Sequence, residues 1–394
     1  MNEKYDVIII GAGASGIMCA IEAGKRGRAV LIIDHSKKLG AKIKISGGGR
    51  CNFTNKNLSS ENYISNNPKF CISALKHFTP KDFINLVTQY NIKYYEKTLG
   101  QQFCNESSKQ IINMLLTECE KAKVEIQTEV LIDEVVKIEN SFKIITKNST
   151  FACKSLVIAT GGLSVPSIGA TNFGYKIAEQ FGVNVTKTYP ALVPLILSDS
   201  LLKYTASLSG ISFNAVVSCG KRKFQEALLF THKGLSGPVI LQISSYWKLG
   251  SKITVNFMPE LDVFQYLLKE KADRPKQQIQ TILSKIMPKK FAYYVVATVA
   301  FCEGYLAELS NKKIKKISEA INNWVVVPTR VDCFAKAEVT LGGVDTFEIS
   351  SKSFESDKVS GLYFIGEVLD VTGHLGGYNL QWAWSSGHAA GQFV

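Results

Sequence analysis

The sequence predicts an α/β fold around a parallel sheet, interrupted by an insertion that is β-rich first and helical afterwards. Three observations carry this. Tyr5–Ile10 is an apolar run of strand length that passes directly into Gly11-Ala-Gly-Ala-Ser-Gly16 and then into apolar residues at helical spacing. A second apolar run, Ala29 to Ile33, follows within thirty residues and is closed by Asp34. After Tyr189-Pro-Ala-Leu-Val-Pro194 the pattern changes to short strands separated by Gly and Ser turns.

In chain order, Ile17, Met18, Ala20 and Ile21 give the first helix its buried face, and Gly24 and Gly27 end it. Strand-like runs follow at 124–128, 130–138, 142–146 and 155–160, the later ones separated by Glu139-Asn-Ser141 and Lys147-Asn-Ser149. They read as a meander that returns to the parallel sheet. Residues 1–190 are expected to form the first part of the main domain. The insertion is expected over 191–328, β-rich at 191–259 and helical at 260–324, and 329–394 should complete the main domain. There Gly361-Leu-Tyr-Phe-Ile-Gly366 supplies a rejoining strand, and 380–390 a helix packed on it.

At 394 residues with 46% apolar content, two or three cores are expected. The apolar stretches Tyr5–Ile10 and Ala292–Cys302 fall short of the roughly 20 residues that span a bilayer. Acidic Glu3 and Asp6 lead the first run, so it reads as mature protein and not as a signal peptide. Nine scattered cysteines without a C-x-x-C pair argue against a disulfide framework or a metal site, and fit a reducing cytoplasm. The formal net charge of +13 favours an anionic ligand. It leaves a nucleic-acid partner open, although Lys312, Lys313, Lys315 and Lys316 read first as the solvated face of a helix.

Gly11, Gly13 and Gly16 form a G-x-G-x-x-G turn, Rossmann-type in its setting between strand and helix. The glycines permit the bend and the backbone's approach to a pyrophosphate, and the helix start offers N–H groups to it. Asp34 is placed to accept from a ribose hydroxyl, which disfavours a 2′-phosphate there. Ser46-Gly-Gly-Gly-Arg-Cys-Asn52 is a glycine loop with cationic help, suited to a pyrophosphate or the polar edge of an isoalloxazine ring. Cys51 reads either as a thiol activated by Arg50 or as a buried inert one.

These motifs, with Ala159-Thr-Gly-Gly162, Leu229-Phe-Thr-His-Lys-Gly-Leu-Ser-Gly-Pro238, Gly366-Glu-Val-Leu-Asp370 and Gly376-Gly-Tyr-Asn-Leu-Gln-Trp-Ala-Trp384, resemble in order the bacterial NAD(P)/FAD-dependent oxidoreductases also called aminoacetone oxidase family FAD-binding enzymes. The resemblance spans nearly the whole chain. It implies a Rossmann-type FAD-binding domain of the two-dinucleotide-binding flavoprotein type, with an insert made of a β-barrel and a small helical piece. It also implies that 159–161 and 366–370 contact FAD. Gln101 and Cys104 stand where family members carry an Arg and a Pro, so no role is carried over to that loop.

The residues expected to touch FAD are therefore Gly11, Gly13, Ala14, Ser15, Gly16, Asp34, His35, Lys42, Ser46, Gly47, Gly48, Gly49, Arg50, Cys51, Asn52, Val130, Thr160, Gly161, Gly162, Gly366, Glu367, Asp370, Gly377, Asn379 and Leu380. Cys51, His374 and Tyr378 are the candidates for the chemistry, His374 for proton transfer. His232 reads as a loop residue of the insert, and His388 as packed on the last helix. Tyr378, Trp382 and Trp384 are open to stacking on the ring or to the core. The expected function is an FAD-dependent oxidoreductase with NAD(P)H as a transient electron donor, acting on a small organic molecule or oxygen. The alternatives are a flavin-dependent amine oxidase and a flavoprotein with an RNA-binding or regulatory role on its basic surface.

Overall fold

The structure is a computed structural model describing residues 2–300 and 304–394; Cys302 lies outside the described residues. Two compact units divide the chain: Met1–Tyr189 with Val339–Val394, and Pro190–Glu338.

The first unit is built on strands β1 (Asn2–Ile10), β2 (Val30–Ile33), β3 (Asn52–Asn55), β4 (Tyr94–Glu96), β5 (Gln101–Cys104), β6 (Glu125–Gln127), β7 (Ile132–Ile138), β8 (Ser141–Thr146), β9 (Thr150–Ile158) and β10 (Leu362–Phe364), with helices α1 (Ala14–Lys25), α2 (Lys109–Lys121), α3 (Phe173–Gln180) and α4 (Tyr378–Gly391). The main sheet runs β6-β2-β1-β9-β8-β7, with β10 also on β9. β1 pairs in parallel with β2 (Val7 opposite Val30, Ile10 opposite Ile33) and with β9 (Ile10 opposite Ile158). Val7, Ile8, Ile9 and all of β2 are buried, as strands covered on both faces of a parallel sheet require.

Strand β9 does two jobs. Thr150–Cys153 pair antiparallel with β8, and Leu156–Ile158 pair in parallel with β10. The meander is β7, β8 and the first half of β9, whose second half makes the expected return, whereas the first run expected in it, 124–128, supplies β6, which pairs in parallel with β2. Helix α1 ends later than the glycine pattern suggests. Gly24 lies inside its last turn, where an added Cβ would sit 2.5 Å from Ala122 O, and the left-handed turn falls at Gly27. Helices α1 and α4 pack along two glycines. Gly387 lies against Ser15 and Cys19, and Gly391 against Cys19 and Glu22, so the two helices run in the same direction. That register carries the N-terminus of α4 about six residues, or about 9 Å, beyond that of α1.

The second unit is an antiparallel seven-stranded sheet ordered 324–326, 253–256, 212–219, 222–231, 234–236, 195–196, 330–331. Its outermost strands, Trp324–Val326 and Arg330–Val331, are separated by three residues, a reach of about 14 Å, whereas seven flat strands would be about 29 Å across. The sheet must therefore curl, bringing its ends within about 14 Å of each other. Pro238–Ser244 is helical within the stretch expected to be β-rich, and the helices Val263–Asp273, Ile279–Leu283, Lys289–Tyr294 and Asn311–Asn322 follow. The expected boundary at 328 moves to Glu338, because Arg330–Val331 pair with Leu195–Ile196 of the insert instead of returning to the first sheet. Helical structure also stops at Asn322, since Trp324–Val326 pair with Ile253–Val255.

Candidate cofactor and active site

The glycine turn is shaped by contacts that exclude side chains. Gly11 has φ +114°, and a Cβ there would overlap the carbonyl of Ala159; a Cβ on Gly16 would overlap the carbonyl of Gly11. At Gly13, by contrast, a Cβ would meet nothing within 4 Å, so the space before α1 is open. Gly13 caps α1 without a side chain, and no acid stands in the first turn. The N–H groups of Ala14, Ser15 and Gly16 accordingly have no intrahelical acceptor and point with the helix dipole toward an anion position.

Asp34, at the end of β2, holds this turn. Its Oδ2 accepts from Ala12 N at 2.7 Å and its Oδ1 from Ser36 N at 2.7 Å. Those bonds leave acceptor capacity on both oxygens for a ribose. Val130 donates its N–H to Asp34 O, and the exposed ring of His35 lies 3.6 Å from the Asp34 carboxylate. Thr160 leaves β9 beside Gly11. Its Oγ1 is buried without a partner, as is the hydroxyl of Tyr175 on α3, and burial pushes the Tyr175 hydroxyl up, with Glu367 and Asp370 adding to the shift. Thr160 Oγ1 faces Gly174 of α3; the open space at Gly13 and the helix-start N–H groups are what fit an anionic group beside β1.

The loop after α1 and β2 has the backbone that three glycines allow. Gly47, Gly48 and Gly49 all have positive φ (58°, 66° and 85°), and a Cβ on Gly47 would lie 2.6 Å from the Phe103 ring. Arg50 is exposed and donates to Tyr95 Oη at 3.3 Å. Cys51 is fully buried; burial pushes its thiol far up, against a hydrogen bond with the Ser46 side chain. Its surroundings are those of a packed thiol.

The loop's continuation reaches α4. In the amide orientation that satisfies its neighbours, the Asn52 side-chain oxygen accepts from Gly377 N at 3.2 Å. Asn55 Nδ2 donates to Gly376 O at 2.9 Å, Thr54 Oγ1 to Gln381 Oε1 at 2.5 Å, and the Trp384 indole to Phe53 O. The left-handed Gly377 is the N-cap of α4, and a Cβ there would be 2.5 Å from Thr54 O. Asn379 ties the loop before it, accepting from Gly373 N and donating to the Gly373 and His374 carbonyls. His374 is buried, its N–H donates to Asn62 O, and its ring meets Tyr378 edge-on at 6.2 Å. Trp382 and Trp384 are core residues, donating to Gly366 O and Phe53 O, with Trp384 stacked on Phe83.

Between the two helix starts lies a charged network. Lys42 Nζ is 2.6 Å from both Glu367 Oε2 and Ser164 Oγ, and Glu367 Oε1 accepts from Ser164 Oγ and from Thr340 N. Thr340 Oγ1 accepts in turn from Leu163 N and Ser164 N. Asp370, which accepts from Asn66 N, is buried, and burial holds its carboxyl above the usual range. Ser164, Thr340, Thr54 and Gln381 were not among the residues singled out from the sequence. Their signals are adjacency to Gly161-Gly162, to Gly342-Gly343, to Asn52 and to Gly377. Gln101, in the loop that departs from the family pattern, lies against Gly376. His388 is stacked on Phe78 at 4.7 Å, and His232 belongs to the second unit. Among the described residues no group of three or more His, Cys, Asp or Glu side chains is arranged to hold a metal, and no helix is long and apolar enough to cross a membrane.

The chain is 47% identical over 391 residues to a ribosomal RNA dihydrouridine synthase of Escherichia coli, covering 99% of this chain and 98% of that protein. It is 30% identical over 403 residues to a 3-dehydro-bile acid delta(4,6)-reductase of Clostridium scindens, covering 98% and 97%. Among solved structures, a variant of E. coli quinol fumarate reductase FrdA shares the fold at a TM-score of 0.51 and 13% identity, covering 100% of this chain and 70% of that one. The family model described as HI0933-like protein Rossmann domain matches residues 5–393, and the chain belongs to that family of FAD-dependent Rossmann oxidoreductases.

Proposed function

We propose that this protein reduces uridine in ribosomal RNA to dihydrouridine, drawing electrons from NAD(P)H through bound FAD. The observation that carries the reading is the 47% identity, over practically the full length of both chains, to the E. coli ribosomal RNA dihydrouridine synthase. The more distant bile acid reductase points to the same elementary step. As their names describe them, both relatives saturate a carbon–carbon double bond, and in uracil that bond is conjugated to a carbonyl.

The charge supports a polyanionic substrate. Residues 190–338 contain twenty basic and eleven acidic residues, so this unit holds +9 of the chain's +13. That distribution favours RNA over the small-molecule substrate and the amine oxidase as readings of the fold.

When bound, the flavin supplies the hydride. The chain's own residues bind and orient it. The N–H groups of Ala14, Ser15 and Gly16 and the open face at Gly13 would take the pyrophosphate, and Asp34 the ribose. The start of α4, about 9 Å further along the same direction, would serve the ring end, where its dipole favours negative charge. The Lys42–Glu367–Ser164 network lies along the stretch between. Gly47, Gly48 and Gly49, with Arg50, would hold the polar edge of the ring, and Gly161, Gly162, Gly366, Asp370 and Leu380 would line its surroundings. His374, buried before α4 with its ring edge-on to Tyr378, is assigned the proton that the neighbouring carbon of the base requires.

The second unit is antiparallel and offers no second strand–turn–helix nucleotide fold among the described residues, so the nicotinamide is a visitor to the flavin face. The reading is tested by incubating the holoprotein with NAD(P)H and unmodified ribosomal RNA transcripts, then digesting the RNA and identifying nucleosides by mass. Dihydrouridine at a defined position supports it. Transcripts recovered unchanged, while the flavin cycles with NAD(P)H and oxygen, overturn it.

A further inference from the structure

One end of the second unit's sheet collects cations without any acid among them. The strands 212–219 and 222–231 form a ladder from Ser212–Leu229 to Cys219–Arg222, so Gly220 and Lys221 make a two-residue loop, with φ +56° at the glycine, as a tight hairpin of this kind uses. The neighbouring strand pairs Ser218 with Thr254; continuing that antiparallel register by two residues brings Lys252 beside Gly220. The turn entering this strand carries Lys248. Lys221, Arg222, Lys223, Lys248 and Lys252 are all exposed, and no Asp or Glu occurs in 219–225 or 244–259. Neighbouring strands lie about 4.8 Å apart, so these charges stand within about one Debye length of one another. Carboxylates enter further along the strand 222–231, where Glu260 accepts from Gln225 and Glu226 from Gln242. An exposed helix face of the ordinary solvated kind, such as Asn311–Asn322, intersperses an acid, Glu319.

The patch also has a surface for bases. The Arg222 guanidinium lies over the Tyr246 ring at 4.9 Å, and Phe224 is 5.9 Å from the same ring. Leu249, at the tip of the adjacent turn, is 80% exposed, and Val327, just beyond the residue paired with Ile253, is 51% exposed. Cations interleaved with a stacked arginine, aromatic rings and exposed apolar groups match the recognition of unpaired RNA, in which lysines and arginines meet phosphates while flat side chains receive splayed bases.

We propose that this end of the sheet, formed by the 219–223 hairpin and the 246–252 turn, is the surface by which the protein grips single-stranded or loop segments of ribosomal RNA. The inference rests on RNA being the substrate. The patch binds; it takes no part in the electron transfer.

The test compares three holoproteins: wild type, the triple variant Lys221→Gln/Lys223→Gln/Lys252→Gln, and a control with Lys312, Lys313, Lys315 and Lys316 changed to Gln. Each is titrated with a fluorescent ribosomal RNA transcript over a salt series, and with vesicles containing phosphatidylserine. Melting temperature and the rate of flavin reduction by NAD(P)H show that the variants are folded and redox-competent. The triple variant is expected to lower the slope of log affinity against log salt by about 2, the loss of three phosphate contacts on single-stranded RNA, with unchanged flavin reduction; the helix control should keep the wild-type slope. Wild-type affinity and slope in the triple variant overturn the proposal, as does a slope lost only in the helix control, or binding to vesicles but not to RNA. If wild type binds RNA through the patch yet forms no dihydrouridine, the enzymatic reading fails and this one stands. If wild type forms dihydrouridine and the triple variant does so with unchanged KM and salt dependence, the reverse holds.

Discussion

Replacing Asp34 by Ala removes two interactions of different kinds, which can be measured apart. In the protein without cofactor the carboxylate accepts from Ala12 N and Ser36 N, each at 2.7 Å. Ala12 is 1% exposed, so its N–H loses a charged acceptor that water cannot replace, at a cost of about 1–3 kcal/mol. Ser36 is half-buried, and water takes over much of that bond. For a unit of this size each kcal/mol lowers the melting temperature by roughly 2–4 °C. With FAD present, the loss of the ribose bonds adds about 1.5–3 kcal/mol, a dissociation constant roughly tenfold to a hundredfold weaker. Asp34→Asn keeps one acceptor oxygen for Ala12 N and should recover most of the stability but little of the affinity. Urea unfolding of the apoprotein reads the first effect, and quenching of FAD fluorescence on titration reads the second. An Ala variant with wild-type unfolding and wild-type FAD affinity refutes both roles. Reduced stability with unchanged affinity leaves Asp34 as a brace for the glycine turn alone.

Gly11→Ala should prevent folding of the first unit or leave it without cofactor, since φ +114° and the Ala159 carbonyl both oppose a methyl group; Gly13→Ala, facing open space, should fold within about 1 kcal/mol of wild type yet bind FAD more weakly, as circular dichroism and flavin absorbance would show. Cys51→Ser should retain FAD and turn over at the wild-type rate, because a fully buried thiol held far above its ordinary titration range supplies neither nucleophile nor acid; a variant whose flavin is reduced normally but whose turnover is lost contradicts this. His388 is held below the usual imidazole range by burial, partly opposed by Glu22 and Asp82 and reinforced by Lys25 and His77. The folded chain therefore binds this proton less readily than the unfolded one, so stability falls as pH drops below about 6.5. His388→Phe should flatten that acid loss in melting curves, and an unchanged slope would show that other groups set it.

The parts of the fold legible in the sequence are those where one local rule decides. The run Tyr5–Ile10, the glycine turn and Asp34 announced the first β–α–β unit, because a strand buried on both faces and a helix start without side chains leave little choice of residue. The boundary at 328 was misplaced for the opposite reason. Arg330–Val331 pair with Leu195–Ile196 across more than 130 residues, and nothing local distinguishes a two-residue strand of the insert from one of the main sheet. The candidate site divides in the same way. Glycine-rich segments mark themselves, whereas Ser164 and Thr340 owe their place to hydrogen bonds with partners far along the chain. Cys51 drew attention through its neighbour Arg50, yet the chain turns there with φ +51° and buries the sulfur while the guanidinium goes to Tyr95 at the surface. Adjacency in sequence did not amount to adjacency in chemistry.

The proposed activity requires one transfer: electrons stored on the flavin must leave it for uridine. The protein is reduced anaerobically with one equivalent of NAD(P)H, freed of nicotinamide, and mixed with unmodified ribosomal RNA transcript while the absorbance of oxidised flavin is followed. The account predicts that the colour returns in step with dihydrouridine, one nucleoside formed per flavin reoxidised, and that DNA of the same sequence leaves the flavin reduced. Flavin that stays reduced with the transcript, yet is reoxidised at once by oxygen or a small enone, would contradict it.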